Sequence, residues 1–480
     1  MPTLYIKTLG CKVNTYDTHA LENQFKALGY DIVESPDLAT VSVLNTCSVT
    51  ENADKEARYL LRRFRRENPE TVVVATGCYA QTDSQRLVDM DEVDLVFPNQ
   101  SKDIVAVATH DFVKRQDNGE PKVQTSKLPS HVKAVSGNKQ GHFKSALTML
   151  EADSSQTRAF LKIQDGCNGF CTYCLIPYAR GASRSVAPEE VTREVRRLIN
   201  LGIKEIVFTG IHIGDYGDDF GQENAFVRLI EELFTWPDMI RIRISSLEPR
   251  ELGEDLLKVL ASRPELFCDH FHLPLQAGSD RILKLMRRSY DTKTYADNVA
   301  LARKYFPNAN FGADIIPGFP SETDEEFEET LAFIKSVGLN YLHVFPYSQR
   351  PNTAAAKMPG HLPGEIVKAR SAKLRELSTE LKENYLRRFV GTETLVLWEK
   401  DTDSQGRVKG HSTNYLEVCA PQHVAVQPGT VNRVLLKGFV EDLRLLGKVL
   451  DLAPVALAAA ATEISIEASK SEPEMIGAEA

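Results

Sequence analysis

The chain has no surplus of positive charge: its formal net charge is −9 over 480 residues. Bulk charge therefore gives no nucleic-acid signal, and an RNA-binding surface must be a local patch. Part of the imbalance lies at the end, where Asp451, Glu463, Glu467, Glu472, Glu474 and Glu479 face a single base, Lys470. No apolar run reaches membrane-spanning length. The longest, Leu452 to Ala461, falls well short of the ~20 residues needed. The opening MPTLYIKTLG lacks the charged start, apolar core and cleavage site of a secretory signal. A cytoplasmic protein with no membrane partner is therefore expected. There cysteines stay reduced, which disfavours a disulfide framework and favours metal binding or catalysis. No internal repeat stands out beyond βα units. At 42% hydrophobic and 26% charged residues, the composition is that of an ordinary globular chain, with room for roughly two to four domains.

Six of the eight cysteines form two sets of three, and neither set has a fourth. The tight set is Cys167, Cys171 and Cys174, a C-x3-C-x2-C run in GCNGFCTYC. The scattered set is Cys11 in LGCKVN, Cys47 in NTCSV and Cys78 in TGCYA. Three thiolates can hold a four-iron cluster by three corners and leave one iron open to a ligand. Two such sites suggest an enzyme that uses two clusters for different tasks. For the tight set, zinc is the competing reading, with His212 or His272 as a fourth ligand. For the scattered set, it is three buried core cysteines.

The first segment, 1–125, alternates strand-like runs (TLYIKTLG, VSVLNT, TVVVATG, VDLVFPN) with helical stretches, as a parallel βαβ sheet does. Each scattered cysteine follows one of these runs. Ligands of open α/β sheets bind beyond the carboxyl ends of the strands, so the three can converge. Residues 126–157 read as a polar linker. From 158 to 388, FLKIQDG, EIVFTGI, RIRISSL, HFHLPLQ, FGADIIPGF and LHVFPYS alternate with amphipathic stretches, predicting a partial (β/α)6 barrel. The cysteine loop follows the first strand, at the end where barrels place their chemistry. A long helix is expected over 365–388, then a small all-β barrel over 389–450, and a disordered acidic tail over 451–480. The fold class is thus α/β, with a parallel sheet domain, a partial barrel and a small all-β module.

The cysteine loop, with Tyr173 just before its last cysteine, resembles that of the radical S-adenosylmethionine (SAM) superfamily. Nearly the whole ordered chain resembles the methylthiotransferase family within it. LGCKVNTYD, LNTCSVT and ATGCYAQ match its N-terminal cysteine motifs. DGCNGFCTYCLIPYARGASRS matches its loop, and FTGIHIGDYG, HLPLQAGSD and ADIIPGFPSET match its later strand-end motifs. The resemblance implies that Cys167, Cys171 and Cys174 are catalytic, holding a 4Fe–4S cluster whose open iron chelates SAM and cleaves it reductively to a radical. It implies that Cys11, Cys47 and Cys78 hold an auxiliary 4Fe–4S cluster that provides or carries the inserted sulfur, methylated by one SAM while a second SAM makes the radical. The net change is C–H to C–S–CH3. Lys12-Val13-Asn14 and the His212–Gly217 stretch resemble the threonylcarbamoyladenosine tRNA (MtaB-like) type. Isopentenyladenosine of tRNA and a ribosomal-protein aspartate are the alternatives.

Within that reading the module over 389–450 is a TRAM domain contacting RNA, although its seven acids balance its seven bases. The expected partners are a tRNA anticodon stem-loop and an unidentified electron donor, and the chain is expected to be a monomer. Tyr173, Thr209, Gly210, Ser246, Gln276, Asp314 and Arg180 are expected to bind cofactor, from their positions at strand ends or just after the loop. Arg58, Arg62, Arg63, Arg65 and Arg66 form either a solvated helix face or a tRNA contact. A non-catalytic RNA-binding redox sensor is the rival of a different class. It predicts no SAM cleavage.

Overall fold

The computed structural model describes residues 1–118 and 157–451. The expected linker, apart from Thr157, and the acidic tail beyond Asp451 lie outside the described residues.

The N-terminal unit is a parallel sheet in the order β2-β1-β3-β4-β5. Its strands are β1 Thr3–Thr8, β2 Asp31–Ile32, β3 Val41–Thr46, β4 Val72–Gly77 and β5 Leu95–Pro98. The central strands β3 and β4 are buried along their whole length. This suits their β-branched runs, because a parallel sheet is covered on both faces. Separate hydrophobic clusters line the two faces. The helix Glu51–Glu67 starts at Thr50, whose side chain accepts from the Ala53 amide at 3.2 Å, and ends in Arg65 and Arg66. Cap and terminal charges both favour those ends. Strand β2 is too short to have been read from the sequence.

The central unit holds β6 Arg158–Lys162, the short antiparallel pair β7 Gln164–Asp165 and β8 Arg184–Ser185, then β9 Glu205–Thr209, β10 Arg241–Ile244, β11 His270–His272, β12 Asn310–Ile315 and β13 Tyr341–Val344. Two parallel sheets, β10-β9-β6 and β11-β12-β13, are joined by parallel bridges Ile242–Phe267 and Ser246–His272. Six strands thus curve into one wall. Its outer edges, β6 and β13, do not pair among the described residues. The barrel is open, as expected, over one large hydrophobic core.

The helix Gly364–Arg387 leads to a closed barrel, β14-β15-β16-β18-β17. Its strands are β14 Glu393–Thr402, β15 Val408–His411, β16 Glu417–Ala420, β17 Val431–Val440 and β18 Arg444–Val449. Closure removes exposed strand edges, and buried Trp398 anchors the interior by donating to Asn432 Oδ1 at 2.9 Å.

Both outer units dock on the central barrel. The C-terminal barrel sits beneath the amino ends of the strands. There Glu205 pairs with Arg241 at 2.9 Å and Arg243 at 2.8 Å. Arg243 also donates to the Ser412 and Thr413 carbonyls at 3.2 and 3.0 Å. Tyr415, at the tip of that turn with φ +64°, stacks on His270 with ring centroids 4.8 Å apart. The N-terminal sheet docks above the carboxyl ends. Arg350 donates to Ser48 Oγ at 3.0 Å and to Asp54 Oδ2 at 2.5 Å. No described helix is long and apolar enough to cross a membrane.

Candidate active site: two cysteine sets on one cleft

The scattered cysteines follow β1, β3 and β4, which are neighbours in the sheet. That adjacency brings together positions up to 67 residues apart in sequence. Cys11 opens the helix Lys12–Ala27, and Cys78 opens Cys78–Thr82. Gly10 allows the first loop to close: a Cβ there would lie 2.8 Å from Cys47 Sγ. Burial, and then the nearby Cys78 and Cys11, push the Cys47 thiol up to about 12. Asn99, just past β5, points its amide at Cys78 Sγ at 3.6 Å and donates to the Ala179 carbonyl at 2.8 Å.

The tight set lies directly opposite. Each of its sulfurs has an N–H donor. Gly169 N reaches Cys167 Sγ at 3.3 Å, Arg288 Nη1 reaches Cys171 Sγ at 3.1 Å, and Ile176 N reaches Cys174 Sγ at 3.4 Å. Arg288 is itself clamped by Glu248 at 2.5 Å. Burial, then Cys171, raises the Cys174 thiol to about 12. A thiol so placed ionises only when a metal supplies the compensating charge.

One cleft joins the two sets. It is lined by Cys78 and Val49 from the N-terminal unit, and by Tyr173, Cys174, Gln276 and Asp314 from the barrel. Phe345 also lines it. Val49 and Phe345, 53% and 40% exposed, are among the large apolar side chains left open to solvent.

The Radical SAM superfamily matches residues 161–334, and the family described as uncharacterized protein family UPF0004 matches residues 3–98. Threonylcarbamoyladenosine tRNA methylthiotransferase MtaB of Bacillus subtilis is 37% identical over 424 residues, spanning 87% of this chain and 90% of that protein. The chain belongs to the radical SAM methylthiotransferase family. A tRNA-2-methylthio-N(6)-dimethylallyladenosine synthase of Bacillus licheniformis is 35% identical, over 83% of this chain and 76% of its own length. Among solved structures, the radical S-adenosylmethionine methyltransferase TsrM of Kitasatospora setae matches with a TM-score of 0.53, covering 74% of this chain and 77% of its own. At 13% identity that likeness is one of fold. The enzyme is a transferase that uses SAM and 4Fe–4S clusters.

The donor sets fit such clusters. Each has three sulfurs at a strand-end loop, and hydrogen bonds to cluster sulfurs are one of the protein's means of tuning a cluster. A zinc site is less well supplied. His212 Nδ1 lies 3.9 Å from Cys167 Sγ, but the same nitrogen is 2.9 Å from Asp215, while Nε2 is 2.5 Å from Glu251. The possible ligand group Cys167–His212–Asp215 omits Cys171 and Cys174.

Of the residues expected to bind cofactor, the structure brings Tyr173, Gln276 and Asp314 into the cleft. Asp314 accepts from His272 Nε2 at 2.9 Å and lies 3.4 Å from His343 Nδ1. Burial resists its ionisation, but the two imidazoles outweigh it and hold the carboxyl below its usual range. Thr209, Gly210, Ser246 and Arg180 do not line the cleft. Thr209 is buried and its hydroxyl donates to the Val207 carbonyl at 3.3 Å. Gly210 packs tightly on Gln164, where a Cβ would meet Oε1 at 2.9 Å. Ser246 bridges to His272 where the two half-barrels meet.

Arg180 lies behind the cleft rather than along it. Its guanidinium is buried and turned into the domain interface, paired with Asp165 at 2.9 Å and Asp17 at 3.1 Å. The arginine-rich helix is also largely engaged within the protein. Arg58 donates to Tyr79 Oη at 2.6 Å, Arg65 to the Thr71 carbonyl at 2.8 Å, and Arg63 to Glu67 at 2.6 Å. Asn99 and Arg288, which contact cysteine sulfurs, lie outside the sequence motifs. The strand-end position of Asn99, shared with the cysteines, was a usable signal. Nothing around Arg288 in sequence marked it.

Proposed function

We propose that the enzyme converts the C2–H of N6-threonylcarbamoyladenosine beside the tRNA anticodon to C2–S–CH3. The observation that carries this reading is the shared cleft, where Cys78 of the sulfur-donor set and Cys174 of the SAM-cleaving set line one space. One substrate carbon held there can be reached from both sites without changing chamber. When bound, the clusters and SAM supply the hydrogen abstraction, the sulfur and the methyl group.

The chain's own residues hold, orient and enclose. Cys167, Cys171 and Cys174 hold one cluster, and Cys11, Cys47 and Cys78 the other. Arg288, fixed by Glu248, directs a donor at one sulfur of the loop. Asp314 stays ionised between His272 and His343 and offers the cleft a fixed acceptor. The exposed ring of Phe345 provides a face for a nucleobase at the mouth, as aromatic side chains do when enzymes take up an unstacked base. Beneath, the C-terminal barrel closes the floor; its contact with RNA is expected to weaken as salt rises.

The threonylcarbamoyl assignment is supported by the Bacillus subtilis relative named for that activity and by Lys12-Val13-Asn14 at the first cysteine. The dimethylallyl reading is supported by the Bacillus licheniformis relative. Nucleoside mass spectrometry of bulk tRNA, from cells with and without the gene, tests the choice. The methylthio form of threonylcarbamoyladenosine should vanish and its precursor accumulate. Loss of the methylthio group from the isopentenyl nucleoside instead would overturn the substrate and leave the chemistry standing. No change in any tRNA nucleoside would turn attention to a protein substrate or the redox sensor.

A further inference from the structure

Behind the auxiliary cysteines the interface between the N-terminal sheet and the barrel buries six charged side chains. Asp17 takes Lys102 at 2.9 Å, Lys162 at 2.5 Å and Arg180 at 3.1 Å. Asp165 takes Arg180 at 2.9 Å, Arg184 at 3.2 Å and Lys162 at 3.3 Å. Arg180 also donates to Asn14 Oδ1 at 2.5 Å, and Lys102 to Asn45 Oδ1 at 3.4 Å. None of the six side chains is more than 12% exposed.

Four cations therefore share two carboxylates, leaving two positive charges in excess. Uncompensated charge inside a protein is strongly unfavourable, so these four cations call for a further anion close by. The groups positioned to supply it are the auxiliary cysteines. Arg180 lies within electrostatic reach of Cys78 and Cys11, and Lys102 within reach of Cys78. Three thiolates on a four-iron core carry net negative charge, and reduction deepens it.

We infer that the interface cluster of Lys102, Lys162, Arg180 and Arg184 is the built-in counter-charge of the auxiliary iron–sulfur cluster, raising its reduction potential and joining its stability to domain docking. The inference rests on the reading that Cys11, Cys47 and Cys78 hold a cluster. It assigns a tuning role to Lys102, which touches no substrate, and makes Arg180 a positioning residue rather than a cofactor ligand. Net charge near a cluster is one of the principal determinants of its potential.

The test uses the full chain with Cys167, Cys171 and Cys174 changed to alanine, so that iron can be held only by the N-terminal set. After anaerobic reconstitution, the cluster is titrated with dithionite and followed by absorbance and electron paramagnetic resonance. Lys102→Met should shift the midpoint to more negative potential, Lys102→Arg should leave it near the parent, and Asp17→Asn should shift it positive. Equal midpoints for Lys102→Met and Lys102→Arg would overturn the inference. If Lys102→Met loses iron while Lys102→Arg retains it, the charge is needed to hold the cluster and the inference stands. If both lose iron equally, Lys102 is a packing residue and the inference fails. A parent that binds no iron refutes the underlying cluster assignment instead, and that outcome is visible before any Lys102 variant is made.

Discussion

Arg243→Met should detach the C-terminal barrel from the central one while leaving each folded. The guanidinium is almost fully buried and makes contacts on both sides of the interface. It pairs with Glu205 at 2.8 Å, donates to the Ser412 and Thr413 carbonyls at 3.2 and 3.0 Å, and lies 4.6 Å from the centre of the Tyr415 ring. Methionine keeps most of the stem volume and loses every donor. Removing one partner of a buried ion pair costs about 3–5 kcal/mol. Glu205 keeps Arg241 at 2.9 Å, which places the effect at the lower end. A loss of about 3 kcal/mol is roughly 100-fold in the docking equilibrium.

The chain has two tryptophans, Trp236 in the central barrel and Trp398 in the C-terminal one. In a Trp236→Phe background, fluorescence therefore reports the C-terminal barrel alone. Urea unfolding of the parent should give coincident fluorescence and far-ultraviolet dichroism transitions. With Arg243→Met the Trp398 transition should separate from the dichroism transition, and amide exchange across Ser412–Leu416 should quicken. Arg243→Lys, which keeps the charge but not the fork, should fall between. Coincident transitions at the parent's midpoint in Arg243→Met would refute the reasoning.

Gly77→Ala should empty the auxiliary site. At φ +99° a Cβ would meet the Thr46 carbonyl oxygen at 2.4 Å and displace Cys78, so iron per reconstituted chain should fall to about half, to ~4 from ~8. Serine at Cys167, Cys171 or Cys174 should abolish reductive SAM cleavage. Serine at Cys11, Cys47 and Cys78 together should leave cleavage but stop methylthio transfer, read by chromatography of deoxyadenosine and nucleosides. Phe345→Ala should lower kcat/KM for tRNA about 10- to 100-fold, at ~1–3 kcal/mol per stacked base, with Phe345→Tyr near the parent. Acid should undock the N-terminal sheet of the apoprotein. Burial opposes ionisation of Asp17 and Asp165, but surrounding cations outweigh it and hold both well below the usual carboxylate range. Groups depressed in the fold stabilise it fully above about pH 4 and lose that contribution as pH falls below, so stability measured by dichroism should hold above that pH and decline beneath it.

Much of the fold was legible because parallel strands buried on both faces are written as continuous β-branched runs, as in VSVLNT and TVVVATG. The C-x3-C-x2-C loop was legible because its spacing is local. The convergence of Cys11, Cys47 and Cys78 was inferable from one rule, that strand ends of a parallel sheet share an edge. The surroundings of Arg180 were not legible, for the opposite reason. Proximity to the loop in sequence suggested a cofactor contact, but its partners Asn14 and Asp17 lie more than 160 residues away and no local pattern encodes that pairing. Thr209 and Gly210 stand at a strand end but do not line the cleft, since a strand end identifies a neighbourhood and not which residues face a given cavity. Strand β2 and the β7–β8 pair have two-residue strands, too short for periodicity to register.

The common cleft also sets how the enzyme can be damaged. Cys78 and Cys174 open onto one space with a partly exposed apolar rim. Oxygen, peroxide or a chelator that enters to attack one iron site has entered the vestibule of the other. Inactivation is then a shared event, and a bound RNA that covers the rim protects both sites at once.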